Sequence, residues 1–249
     1  MMNIKILSSL MAGLLLGCAV MPQANAAIAL DRTRVIFDGG KNSTSLNISN
    51  KNKELPYLAQ GWIEDANGNK IDSPLIVLPP LQRLDPSAKS QVKIQSLPAI
   101  NLLAQDKETL YYFNLREIPP RTNKANTLQI ALQTRIKLFY RPATLIKTSA
   151  EMINVWKDKI TLTREGNKYR INNNTPYFFN VAAVGNGSKD LAEIKPLTIA
   201  PQSSETLSVS ADQMGNSPDI TFINDYGGRP KLHFRCSGST CNVGEYKEG

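Results

Sequence analysis

A single histidine, His233, and two adjacent carboxylates, Glu64 and Asp65, are the side chains with which this 249-residue chain could attempt acid–base chemistry. His233 sits beside Phe234 and near Cys236 in a strand-like segment, where a lone histidine serves structure. Glu64 and Asp65 have no catalytic partner in view and read as a solvated loop. Cys236 and Cys241 flank Ser237-Gly238-Ser239-Thr240, a spacing unlike a CxxC metal-ligand pair. Neither a Gly-x-Ser-x-Gly elbow nor a phosphate loop nor a metal-ligand cluster occurs in the sequence. The chain therefore reads as no enzyme, and no cofactor or metal is implied.

A different chemistry, backbone pairing combined with apolar insertion, is written into Leu128 to Lys137. Leu128, Ile130, Leu132 and Ile136 fall on one face of a strand, because successive strand side chains point to opposite sides. A turn-forming run, Pro119-Pro120-Arg121-Thr122-Asn123-Lys124, leads towards this segment, and Lys137, Arg141 and Pro142 close it. Taken alone, such alternation describes an ordinary core strand.

The elements that must position this segment belong to an exported protein. Lys5 supplies a positive start, a largely apolar run extends from Ile6 to Met21, and Ala24-Asn25-Ala26 is a small-x-small cleavage site, so residues 1–26 read as a signal peptide. Leu15-Leu16-Gly17-Cys18 also resembles a lipoprotein signal, but Leu16 is bulky where such signals favour a small residue, and the Ala-x-Ala site fits better. The apolar run is short for a membrane span and nothing later approaches one. In an oxidising compartment the two remaining cysteines, Cys236 and Cys241, read as a disulfide closing a hairpin. The net charge of +8 would suit nucleic acid, an acidic surface or anionic peptide groups. Export and the lack of any nucleic-acid-binding motif argue against the first.

About 220 residues remain after cleavage, enough for one large or two modest domains. Short strand candidates separated by turn signals run through the chain: Ile28 to Phe37, Ser43 to Ser49, Tyr57 to Glu64, Leu75 to Leu78, Gln91 to Leu97, Tyr111 to Glu117 and Leu128 to Tyr140. A second set follows a link around Pro142 to Ala150: Lys159 to Thr163 and Lys168 to Asn172 as a hairpin about Glu165-Gly166-Asn167, then Phe178 to Val184, Glu205 to Val209, Ile220 to Asn224 and Lys231 to Cys236. Amphipathic helical patterns are scarce. The expected class is all-β, with immunoglobulin-like sandwiches over residues 27–147 and 148–249.

Five sequence words in order, Asp31-Arg32-Thr33-Arg34-Val35-Ile36-Phe37, Leu55-Pro56-Tyr57-Leu58-Ala59-Gln60, Asn114-Leu115-Arg116-Glu117-Ile118-Pro119-Pro120, Lys137-Leu138-Phe139-Tyr140-Arg141-Pro142 and Ile223-Asn224-Asp225-Tyr226-Gly227-Gly228-Arg229-Pro230, carry a resemblance to the periplasmic pilus chaperones of the PapD type. It extends from Ala27 to about Val243. The resemblance implies a boomerang of two immunoglobulin-like domains that binds pilus subunits in the periplasm and delivers them to an outer-membrane usher. It also implies donor-strand complementation, in which the chaperone lends a strand to a subunit that lacks one.

On that resemblance, Leu128, Ile130 and Leu132 are the donor residues. Full burial of three such side chains at about 1.5–3 kcal/mol each amounts to roughly 5–9 kcal/mol before ordering costs. Arg34 and Lys137 match the two cations that anchor the subunit's C-terminal carboxylate and thereby set strand register. Glu108, Arg141 and Asp225 match a trio forming an interdomain ionic network, in which a planar guanidinium can bridge two carboxylates. The short link from Ile118 to Leu128 resembles the branch that builds rod-like pili. An apolar edge left open is an aggregation hazard, which a self-capping dimer of the free protein would relieve. A secreted β-sandwich fibre subunit or adhesin is the alternative, since such proteins are also exported, β-rich and disulfide-bearing.

Overall fold

The computed structural model describes residues 26–123, 128–187 and 189–249, without the side chains of Ala192 and Glu193. The signal segment up to Asn25, with Cys18, lies outside the described residues, as does Lys124 and with it the full course of the link from Ile118 to Leu128.

Ten strands come first: β1 (Ile28–Leu30), β2 (Arg34–Asp38), β3 (Ser43–Asn50), β4 (Tyr57–Glu64), β5 (Lys70–Ile71), β6 (Leu75–Leu78), β7 (Leu81–Leu84), β8 (Lys89–Ser96), β9 (Thr109–Ile118) and β10 (Gln133–Arg141). One sheet has the order β1-β3-β8-β6; the other runs β2-β10-β9-β4-β5, with β7 also paired to β4. Alternation decides what lies between them. Leu46 and Ile48 of β3 and Val92 and Ile94 of β8 face Phe113 and Leu115 of β9 and Leu138 of β10 in one buried cluster.

The segment expected as one strand, Ile28 to Phe37, is two strands in different sheets. β1 pairs antiparallel with β3, whereas β2 pairs parallel with β10. The break falls at Asp31, whose carboxylate takes two hydrogen bonds from Arg32 and one from Asn47. Local side-chain bonding there competes with the strand ladder.

The strand expected to act as donor is shorter than its apolar alternation suggests. The strand proposed over Leu128 to Tyr140 begins only at Gln133. In the β9–β10 register, Gln133 lies opposite Arg116, so continuation would set Ile130 and Gln129 against Pro119 and Pro120. Prolines have no N–H to donate, and the ladder stops. Leu128, Ile130 and Leu132 consequently stand in solvent, 83%, 61% and 42% exposed. Ile136, which the period places on the same face, is instead buried in the protein's own core.

The second half opens with α1 (Ser149–Lys159), followed by β11 (Ile160–Glu165), β12 (Lys168–Asn173), β13 (Phe179–Gly185), β14 (Asp190–Ile199), β15 (Ser203–Ser210), the short α2 (Ala211–Met214), β16 (Asp219–Phe222), β17 (Lys231–Ser237) and β18 (Thr240–Lys247). Eight strands form one continuous ladder, β14-β13-β16-β17-β18-β11-β12-β15, around a second core. Helix α1 was not expected from the sequence. Thr148 and Glu151 form a reciprocal capping box at its start, and Met152 and Trp156, four residues apart, turn inward. The Trp156 ring packs on Phe179 and Phe222 with centroids 5.4 and 5.6 Å away. Cys236 and Cys241 are cross-strand partners in β17 and β18 and are joined as a disulfide. No helix among the described residues is long and apolar enough to cross a membrane.

Candidate functional site

The two domains meet where the outward face of β2 and β10 turns towards the β13–β14 hairpin. Phe139 of β10 is buried outside either main cluster and packs on Phe178, ring centroids 5.5 Å apart. Tyr177 donates its hydroxyl to the Leu145 carbonyl at 2.8 Å.

Arg141, the last residue of β10, bridges this junction. Its Nε donates to Glu108 Oε1 at 2.7 Å, and Nη1 and Nη2 donate to Asp225 Oδ2 and Oδ1 at 2.7 and 2.9 Å. Glu108 also accepts the Phe178 N–H at 2.7 Å. Burial pushes the Glu108 carboxyl up to about 7, against the opposing pull of Arg141 and the Phe178 N–H. Two glycines keep the geometry tight. A Cβ on Gly39 would stand 2.9 Å from the Arg141 carbonyl, and Gly227, at φ +86°, would bring one within 2.7 Å of Thr33 Oγ1. The trio suggested by resemblance is thus assembled as one contact set.

Arg34 and Lys137 are also brought together. They are direct partners in the parallel β2–β10 pairing, so their side chains leave the sheet on the same face. Arg34 is 8% exposed; Nη1 donates to the Ile223 carbonyl at 3.1 Å, while the buried Nε has no acceptor among the described residues. Lys137 Nζ donates to Asn180 Oδ1 at 2.6 Å and to Thr198 Oγ1. No ion pair joins either cation to a carboxylate among the described residues. Burial, with the charge of Arg34 adding to it, draws the Lys137 ammonium down to about 8. Two cations held by neutral acceptors in a partly buried cleft have the chemistry to take up an anion.

Beside this cleft, β10 presents an open edge. Its pairing with β2 covers only Lys137 to Arg141, and among the described residues Gln133 to Ile136 have a ladder neighbour only in β9. The exposed Leu128, Ile130 and Leu132 precede that edge. Another extended chain could add itself here, its backbone meeting Gln133 to Ile136.

Asn180, Thr198 and the Ile223 carbonyl were not singled out from sequence. Their role lies in the approach of one domain to the other, and no local spacing announces it. The oxygens that hold the two cations are neutral: the Ile223 carbonyl, the Asn180 amide and the Thr198 hydroxyl.

Residues 27–146 match the family described as "Pili and flagellar-assembly chaperone, PapD N-terminal domain", and residues 155–234 match "Pili assembly chaperone PapD, C-terminal domain". The chain is 52% identical over 231 residues to "Chaperone protein PapD" of Escherichia coli, covering 92% of this chain and 94% of that protein. It is 41% identical over 248 residues to "Chaperone protein PmfD" of Proteus mirabilis, covering 98% and 96%. Among solved structures, the Salmonella enterica SafA pilin in complex with the SafB chaperone is similar at a TM-score of 0.70 and 25% identity, covering 86% of this chain and 98% of that one.

Proposed function

The chain belongs to the PapD family of pilus-assembly chaperones, and on that premise we propose that it captures pilus subunits by lending them the edge of β10. Chaperoning pilus subunits is a non-enzymatic function. In this reading the subunit's incomplete sheet adds along Gln133 to Ile136 and extends back past Leu132, Ile130 and Leu128, whose side chains fill its groove. The subunit's terminal carboxylate docks between Arg34 and Lys137 and fixes the register. Glu108, Arg141 and Asp225 hold the domains at the angle that keeps the cleft formed. The site of action is the periplasm, an outer-membrane usher receives the loaded subunit, and the free protein caps its apolar edge by dimerising.

One observation carries the reading: among the described residues, a strand edge without a second ladder neighbour runs directly into two cations that have no carboxylate partner. The fibre-subunit alternative loses ground because relatives matched over nearly their whole length are chaperones. Co-purification of a periplasmic pilus subunit with the wild type and with folded Arg34→Ala and Lys137→Ala variants tests the proposal. Loss of the complex supports carboxylate anchoring, and undiminished capture by both variants sinks it. Light scattering tests the dimer, which a purely monomeric free protein at high concentration contradicts.

A further inference from the structure

Both cations of the cleft belong to the N-terminal domain, yet every acceptor that holds them belongs to the C-terminal one. These acceptors converge on Asn180. Its side-chain oxygen accepts from Lys137 Nζ at 2.6 Å and from the Thr198 hydroxyl at 3.3 Å, while that hydroxyl oxygen also accepts from Lys137. Asn180 and Thr198 are cross-strand partners in β13 and β14, which fixes the two oxygens relative to each other. The backbone carbonyl of Asn180 accepts the Ile223 N–H at 2.8 Å, and the Ile223 carbonyl in turn holds Arg34 at 3.1 Å. One residue, 5% exposed, therefore reaches Lys137 through its side chain and Arg34 through its main chain.

Chemical type matters here as much as position. An aspartate fits the same volume and would also accept from Lys137, but it would supply a resident counter-ion. Among the described residues, the groups facing Lys137 are Arg34 on β2, its cross-strand neighbour Tyr112 on β9, and the Asn180–Thr198 pair. Asp225 acts on Arg34 but is taken up by Arg141. The positive charge of the cleft is left for a ligand because its closest acceptors are neutral.

We infer that Asn180 is a positioning residue for the anion cleft, and that its neutrality keeps Lys137 available to an incoming carboxylate. The inference rests on the carboxylate-anchoring reading above and names the residue that makes it work. Such a site selects a chain ending in a free carboxylate over the same chain ending in an amide.

The test compares wild type, Asn180→Asp and Asn180→Ala, each checked for folding by near-ultraviolet circular dichroism. The probe is a synthetic peptide copying the C-terminal strand of a co-purified pilus subunit, as free acid and as C-terminal amide. Wild type is expected to prefer the acid by about tenfold or more. Asn180→Asp is expected to lose that preference, and its Lys137 Nζ resonance, followed by NMR, is expected to titrate at higher pH than in wild type. Asn180→Ala, which adds no charge, should retain preference for the acid but bind it more weakly than wild type does. If wild type binds acid and amide equally, the anchoring reading fails. If wild type discriminates and Asn180→Asp does so equally, with Lys137 titrating as before, the anchor stands and the role given to Asn180 is overturned.

Discussion

Arg141 grips Asp225 through both terminal guanidinium nitrogens, at 2.7 and 2.9 Å, across the boundary between the two domains. The same guanidinium reaches back through Nε to Glu108, so one planar group spends its fork on the far domain and its third donor on its own. Its central carbon also lies 4.9 Å from the centroid of the Tyr177 ring. Replacement of a buried ion set by apolar groups can be neutral, whereas removal of one member leaves a buried charge uncompensated.

Arg141→Ala is therefore expected to destabilise the protein by about 3–5 kcal/mol, read from urea unfolding at neutral pH. Arg141→Lys should recover little of this loss, because a single ammonium cannot make the two-pronged contact to Asp225 while holding Glu108.

Glu108 gives that network a defined pH dependence. Its folded pKa, pushed up to about 7 by burial, lies above the ordinary value of 4.5. A raised pKa means proton uptake on folding, so the stability attached to this group is complete below pH 4.5 and is lost as pH rises to 7. Wild type should lose stability relative to Glu108→Gln across that window. A parallel pair of unfolding free energies from pH 4.5 to 7 would refute the assignment.

The segment proposed as donor should separate function from stability. Ile130 is 61% exposed and makes no contribution to either buried cluster. Ile130→Glu is expected to abolish subunit co-purification while changing unfolding stability by less than about 0.5 kcal/mol. A comparable loss of stability would mean that this side chain supports the chaperone's own fold.

The disulfide closes a small loop, Cys236 to Cys241, between neighbouring strands. Its chain-entropy contribution is correspondingly modest, about 2 kcal/mol. The Cys236→Ser, Cys241→Ser double variant should remain folded and bind subunit, with a lower urea midpoint under oxidising conditions. Reductant should lower the wild-type midpoint towards that of the variant.

Much of the fold was legible because β-strands advertise themselves by alternation. β3, β4, β6 and the β11–β12 hairpin lie where apolar periodicity and turn residues put them. Helix α1 escaped because its buried stripe is only two residues wide, Met152 and Trp156, although the Thr148-x-x-Glu151 capping pattern was there to be read. The strand expected over Leu128 to Tyr140 begins only at Gln133 because periodicity records which side chains are apolar and not whether a neighbouring backbone has N–H groups to offer the strand's carbonyls. Pro119 and Pro120 across the register decide that. Arg34, Lys137, Glu108, Arg141 and Asp225 stood out only through resemblance, since cations and carboxylates separated by tens to hundreds of residues carry no local signal. Asn180 and Thr198 stayed hidden for the same reason.

Lys137 makes the last prediction, which follows from its pKa being drawn down to about 8 by burial and by Arg34. A carboxylate placed against it favours the charged form, so its pKa in the complex lies above that of the free cleft. Binding then takes up a proton whenever the free lysine is neutral, and affinity must fall as pH rises above about 8. Below that pH the lysine is charged in both states and contributes no pH dependence. The Lys137→Arg variant stays charged throughout this range, so a folded variant should show a flat profile from pH 7 to 10 where wild type declines. Titration of the free-acid subunit peptide at successive pH values reads this directly. A decline of equal size in both proteins would place the titrating group elsewhere and detach Lys137 from the carboxylate.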